Sequence, residues 1–224
     1  MEQRFRNRLP EKRPSFERKY GPGRQVFRRN TAGGNVEADM EHQLLNDIPG
    51  KKAVLRKEIR ARAALLTEEY RRRESAGIAK RTLAQPVWKE AGIVFLYWSL
   101  PSEPDTSPLR EAALREGKRV LLPRCLPSGE MAAVPWRPNA PMIPGAFGIP
   151  APAGSPFEGD PDLVVVPCLS AALSGARLGH GKGYYDRYLA AHPGVPTLCL
   201  CFRALLSEEI PMDAFDRRMD RVIC

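Results

Sequence analysis

The spacing of apolar residues changes along this chain, and each change marks an element. Over residues 52–83, Val54, Leu55, Ile59, Ala63 and Leu66 recur at the three- and four-residue intervals of a helix with one buried face. Thr67 followed by Glu68 and Glu69 interrupts that run in the manner of a hydroxyl cap ahead of an acidic first turn, which predicts two consecutive helices. Residues 93–98 (I-V-F-L-Y-W) form a continuous apolar run that reads as a strand, 106–116 a helix closed by Gly117, and 119–123 a second strand. After a short strand over 131–136, residues 137–161 are so dense in proline and glycine that regular structure is excluded over most of them, predicting a long wrapped loop. A strand at 162–167, a helix from Tyr184 to Ala191 and strands at 197–202 and 221–223 complete the alternation. Such alternation predicts an α/β three-layer sandwich, with a mostly parallel sheet, helices on both faces and ligands at the carboxyl ends of the strands.

Residues 1–50 break the pattern. They are rich in Arg, Asn, Gly and Pro and show no sustained apolar period, so they read as a basic, disordered N-terminal extension ahead of a single domain over 51–224. The net charge of +9 belongs largely to that extension: residues 1–30 hold ten Arg or Lys against three Glu, a surplus of +7 that leaves +2 for the rest. A nucleic-acid-binding protein that uses the tail is therefore a competing reading. The tail's aromatic residues are only Phe5, Phe16, Tyr20 and Phe27, so no interleaved stacking set supports specific nucleic-acid recognition. The five cysteines form no C-x-x-C pair, and several fall in apolar strand-like runs, which argues against a metal cluster or a disulfide framework. No apolar stretch reaches membrane-spanning length, and the expected location is the cytoplasm.

The chemistry concentrates in residues 175–186, G-A-R-L-G-H-G-K-G-Y-Y-D, at a strand-to-helix turn. Glycines let successive backbone N–H groups converge on one oxyanion at a helix N-terminus. Arg177 and Lys182 can neutralise its charge, and Asp186 can hold a magnesium ion from the first helical turn. Gly183 after Lys182 rules out a P-loop, and G-x-G-x-G without a later acidic residue rules out a dinucleotide loop. A ligand-free glycine-rich turn is the plain alternative, which the Arg, Lys and Asp in the same turn weaken.

Six ordered blocks together resemble the 5-formyltetrahydrofolate cyclo-ligase (5,10-methenyltetrahydrofolate synthetase) family over essentially all of residues 51–224. They are K-A-V-L-R at 52–56, Y-W-S-L-P-S-E-P-D-T at 97–106, G-K-R-V-L-L-P at 117–123, F-G-I-P at 147–150, the stretch 162–186, and P-M-D-A-F-D-R-R-M-D at 211–220. The resemblance implies a monomeric enzyme of one-carbon metabolism that uses ATP and Mg2+ to close the formyl group of 5-formyltetrahydrofolate, polyglutamylated or not, onto the neighbouring nitrogen. By the resemblance, Lys52 and Arg56 reach the nucleotide phosphates, and their four-residue spacing puts both on one helical face. Arg177, Leu178, Gly179, His180, Gly181, Lys182, Gly183, Tyr184 and Tyr185 cradle the phosphates, with Arg177 and Lys182 catalytic and residues 180–184 also lining the folate side. Trp98 and Glu103 contact the folate, and Asp186 and Asp216 bind the metal. His180 stands at a variable position of the loop and reads as a loop residue rather than an acid-base catalyst. Ala171 and Ala172 replace a Phe-Asp pair usual in the family, and Phe215 stands where a polar residue is common, which places three departures beside the site. They motivate the alternative of a diverged paralogue that binds nucleotide but acts on another substrate or has lost activity.

Overall fold

The computed structural model describes residues 47–224, so the expectation of a disordered extension falls, apart from its last few residues, outside the described part. Helix α1 (Ile48–Ala64) begins slightly earlier than the apolar spacing suggested, because Asp47 caps it by accepting from the Gly50 amide and Pro49 occupies the first turn. Thr67 then caps α2 (Glu68–Leu83), its hydroxyl accepting from the Tyr70 amide at 3.2 Å. The run is two helices, as the threonine predicts. A short α3 (Pro86–Glu90), absent from the sequence reading, buries Trp88 completely, and its indole N–H donates to Glu116 Oε2 at 3.1 Å.

Strand β1 (Ile93–Phe95) is half the length of its apolar run. Leu96 still donates to Leu121 O, but Tyr97 and Trp98 owe their apolarity to packing beyond the ladder. Helix α4 (Ser107–Arg115) ends before Gly117, whose φ of +72° suits a helix stop. It leads into β2 (Arg119–Cys125) and the antiparallel β3 (Met131–Trp136). The proline-rich segment holds more order than its composition implied: β4 (Met142–Pro144) and β5 (Pro150–Pro152) pair as a hairpin with Ile143 opposite Ala151. Two-stranded ribbons tolerate proline because each strand has a free edge on which no N–H is needed. Strand β6 (Leu163–Pro167) is followed by a second unforeseen hairpin, β7 (Ser170–Ala171) against β8 (Arg177–Leu178). Helix α5 (Tyr184–Ala191), β9 (Thr197–Leu200) and β10 (Arg221–Ile223) close the domain.

The main sheet runs β10-β9-β6-β1-β2-β3, parallel throughout except for β3, with helices on its faces. Strands buried on both faces are written as unbroken apolar runs, which explains L-V-V-V in β6 and T-L-C-L in β9. Cys168, Cys199 and Cys201 are buried free thiols within this core. From β1 the chain first steps to β2 on one side and later returns through β6 on the other. The strand order therefore reverses between β1 and β6, and the crevice at their carboxyl ends is the expected ligand position.

Candidate active site

A cleft of about 720 Å³ opens at that crevice, and every site residue named from the sequence lies on its wall. Its lining includes α1, the turn after β1, the loop between β8 and α5, the first turn of α5, and residues 213–217, together with the β4–β5 hairpin and the ends of β2 and β6. Lysine is rarely buried, yet Lys52 is only 7% exposed. Its ammonium donates to Asp213 Oδ2 at 2.7 Å and to Asp216. Burial alone would lower its pKa, but the hydrogen bonds and charges of the two carboxylates outweigh burial and raise it. The hydrogen bond from Lys52, with that from the Phe215 amide, holds the Asp213 carboxyl below its ordinary range. One turn on, Arg56 Nε donates to Gly179 O at 3.0 Å and fastens α1 to the glycine loop. Gly181 of that loop has φ +95°, and a Cβ there would stand 3.3 Å from the Arg56 guanidinium carbon, so the close passage of loop over arginine needs glycine.

Arg177 lies in β8, where the hairpin fixes it opposite Ala171, and its buried side chain donates through Nη2 to Asp186 Oδ1 at 2.9 Å. The same oxygen accepts from the Arg217 amide at 3.2 Å. Arg177 Nε and the Tyr185 hydroxyl are both buried on the cleft wall without a hydrogen-bond partner, polar groups that a ligand would satisfy. Burial pushes the Tyr185 hydroxyl pKa well up, which keeps it a neutral donor. Gly183 takes the N-cap place of α5 at φ +67°, and no side chain caps the helix, which leaves its first amides for an anion. Lys182 is exposed on the loop, and its carbonyl accepts from Arg187 Nη2 at 2.9 Å. Leu178 is buried beneath the loop, and Tyr184 and His180 stand half-exposed on it.

The opposite wall is built by a reciprocal turn: Glu103 N donates to Leu100 O, and Leu100 N donates to Glu103 Oε2, both at 2.9 Å. Glu103 is thereby buried at 6% exposure with Oε1 facing the cleft, where His180 Nε2 lies 3.2 Å away. His180 is thus more than a loop position, since it joins the glycine loop to this carboxylate. Trp98 stands half-buried beside it on the wall.

Asp186 and Asp216 do not meet as a ready metal cage. Each is engaged by a cation, Arg177 and Lys52 respectively, and no group of three acidic, His or Cys ligands occurs among the described residues. Asp186 Oδ2 and Asp216 Oδ1 nevertheless accept no hydrogen bond from the described residues. Those two oxygens are the ones left to a cation, and one or two carboxylates beside substrate phosphates and waters is the kind of donor set magnesium takes.

One expectation about the surroundings changes. Ala171 and Ala172 are fully buried in the hairpin and do not line the cleft, so the missing ring and carboxylate are matters of packing beneath the site rather than of its edge. Phe215 does reach the rim, 84% exposed. Asp213 and Phe147 also belong to the cleft and were not named from sequence. Both sit inside blocks that carry the family resemblance, D-A-F-D and F-G-I-P, and the signal for Asp213 is that it is a second acid three residues before Asp216.

The profile of the 5-formyltetrahydrofolate cyclo-ligase family matches residues 48–224. A Schizosaccharomyces pombe protein named as a probable 5-formyltetrahydrofolate cyclo-ligase is 31% identical over 193 residues, 77% of this chain and 94% of its own length. The 5-formyltetrahydrofolate cyclo-ligase of Mus musculus is 29% identical over 189 residues, covering 77% of this chain and 92% of that one. Among solved structures, the NMR structure of Aquifex aeolicus 5,10-methenyltetrahydrofolate synthetase matches with a TM-score of 0.68 at 32% identity, over 77% of this chain and 88% of that chain.

Proposed function

The chain belongs to the 5-formyltetrahydrofolate cyclo-ligase family, and from that premise we infer how its cleft performs the ATP-dependent closure of 5-formyltetrahydrofolate to 5,10-methenyltetrahydrofolate, ADP and phosphate. The observation that carries the reading is a single cleft with two differently built walls: a glycine loop with Arg177, Lys182, Lys52 and Arg56 on one side, and Trp98 with a buried carboxylate on the other.

A formyl oxygen is a poor leaving group, so the chemistry begins by making it a phosphate. The oxygen attacks the γ-phosphorus and ADP departs; N10 then adds to the activated carbon and loses its proton, and expulsion of phosphate leaves the methenyl bridge. Little covalent work falls to the protein, whose tasks are alignment and charge stabilisation. The loop amides, the open end of α5 and Lys182 hold the transferring phosphoryl oxygens. Arg177 approaches them with two donor edges, one of them the unpartnered Nε. Lys52 and Arg56 meet the remaining phosphates from α1. Asp186 and Asp216 would hold a magnesium ion, which when bound neutralises phosphate charge. Glu103 Oε1 accepts from the N–H groups of the pterin edge, and Trp98 packs on its plane.

Among the described residues no helix is long and apolar enough to cross a membrane, and the free thiols agree with a reducing cytoplasm.

The test is product formation by the full chain from 5-formyltetrahydrofolate and Mg2+, with and without ATP, following 5,10-methenyltetrahydrofolate by absorbance and ADP by a coupled assay. Product and ADP appearing one for one, and only with ATP, is the expected result. ADP without methenyl product, or neither from a folded protein, overturns the reading. Glu103→Ala should raise the KM for 5-formyltetrahydrofolate by about tenfold to a hundredfold, the cost of a lost hydrogen-bonded carboxylate, and leave the KM for ATP within about twofold. Equal increases in both would move Glu103 off the folate wall.

A further inference from the structure

Arg110, in the first turns of α4, is a buried charge that feels the carboxylates of Asp105 and Glu111 at a distance but is paired with neither. It is 9% exposed and enters no ion pair among the described residues. One donor is satisfied: Nη1 reaches Thr106 Oγ1 at 2.9 Å, while the Thr106 hydroxyl itself donates to Tyr97 O at 2.6 Å. Burial lowers the guanidinium pKa, the mark of a cation held at a cost. The groups packed against it are two indoles. Its Cζ lies 4.5 Å from the Trp98 ring centroid and 5.8 Å from that of Trp136, and the rings meet edge to face, 6.3 Å apart at 83°. Of these three residues only Trp98 lines the cleft.

A planar cation packed on an aromatic face fixes the ring it covers, because sliding or tilting the ring gives up both the electrostatic attraction and the packing. We infer that Arg110 is a positioning residue for substrate recognition. From outside the cleft it holds the Trp98 indole, buttressed by Trp136, in the orientation that receives the flat ring system of the folate. The inference rests on the cyclo-ligase reading. It also accounts for the arginine's tolerance of burial: α4 delivers the guanidinium behind the carboxyl end of β1, where the Thr106 hydroxyl, itself held by Tyr97 O, orders it and the indoles replace water.

The test uses the full chain and reads steady-state kinetics in each substrate together with the near-ultraviolet circular dichroism of the ligand-free protein. Arg110→Met should raise the KM for 5-formyltetrahydrofolate roughly five- to tenfold, with kcat and the KM for ATP within about twofold, and change the tryptophan dichroism band. In a Trp98→Phe background the same substitution should add nothing to that KM. Arg110→Lys, which keeps the charge and loses the planar stack, should give a smaller rise, and it carries the test should Arg110→Met fail to fold. An unchanged folate KM in a folded variant, or an equal increase with and without Trp98, overturns the proposal. Absence of turnover in the wild-type protein would be a failure of the cyclo-ligase reading instead. The dichroism band still judges the indole's orientation in that case, an unchanged band counting against Arg110.

Discussion

Arg177→Gln should lower kcat/KM for ATP by about a thousandfold, the loss seen when one preorganised donor to a transferring phosphoryl group is removed. The side chain is nearly inaccessible, tied to Asp186 by Nη2, and left with a buried Nε that nothing in the protein satisfies. A donor of that kind is oriented before the substrate arrives and spends no free energy on reorientation during reaction. Glutamine, whose amide nitrogen takes the place of Nε, gives up the charge and the bond from Nη2 to Asp186. Asp186 retains the Arg217 amide and its place in the first turn of α5, where a carboxylate is stabilised by the helix, so the variant should remain folded. Arg177→Lys should fall between the two, since an ammonium supplies charge without the planar fork. Lys182→Ala, on the exposed loop, should cost about a hundredfold or less because water and Arg56 share its surroundings. Kinetics in ATP at saturating folate, with circular dichroism to confirm folding, decide the matter. A kcat/KM for Arg177→Gln within tenfold of wild type would make the arginine a strut for α5 and return phosphoryl stabilisation to the loop amides alone.

That arginine was legible in the sequence for a local reason, and most of its partners were not. Glycine spacing, basic residues and an acid in twelve consecutive positions point to a phosphate site over a ligand-free turn. Lys52 and Asp213 state nothing alone: they stand 161 residues apart, and the bond between them exists only because α1 packs beside the segment that precedes β10. Glu103, Trp98 and Asp216 entered through family resemblance for the same reason, and Arg110 escaped altogether, since a basic residue on a helix reads as solvated until two tryptophans are found around it. The fold shows a parallel division. Strands β2, β3 and β6 were visible because burial writes continuous apolar runs, and α1 and α2 because Thr67 punctuates them. The hairpins β4–β5 and β7–β8 were hidden, the first by proline and the second by strands two residues long, too short for any period. The second hairpin matters most, because it aims Arg177 across the cleft.

Gly175→Ala should be the most destabilising single-methyl change in the domain. Gly175 turns the β7–β8 hairpin at φ +90°, its amide donating to Ala172 O and its carbonyl accepting from the Met219 amide, both at 2.9 Å. A Cβ at this position would lie 2.3 Å from Met219 O, a backbone atom held by its own residue's burial and unable to swing aside as a side chain would. The backbone penalty of a left-handed alanine, about 1 kcal/mol, adds to an overpacking cost of about 2–3 kcal/mol, for a total of about 3–4 kcal/mol and a fall in Tm of roughly 10 °C. Gly117→Ala separates the two contributions: its φ of +72° is equally left-handed, but a Cβ there meets nothing within 4 Å, so it should cost only about 1 kcal/mol. Thermal and urea unfolding of both variants measure the difference. Relief of the clash requires the hairpin to part from the segment before β10, and that movement carries Arg177, two residues on, away from Asp186. The Gly175 variant should therefore lose activity below its unfolding temperature while Gly117→Ala keeps it. Equal stability losses in the two would show that Met219 yields, and full activity in a folded Gly175→Ala protein would show that the hairpin does not govern the aim of Arg177.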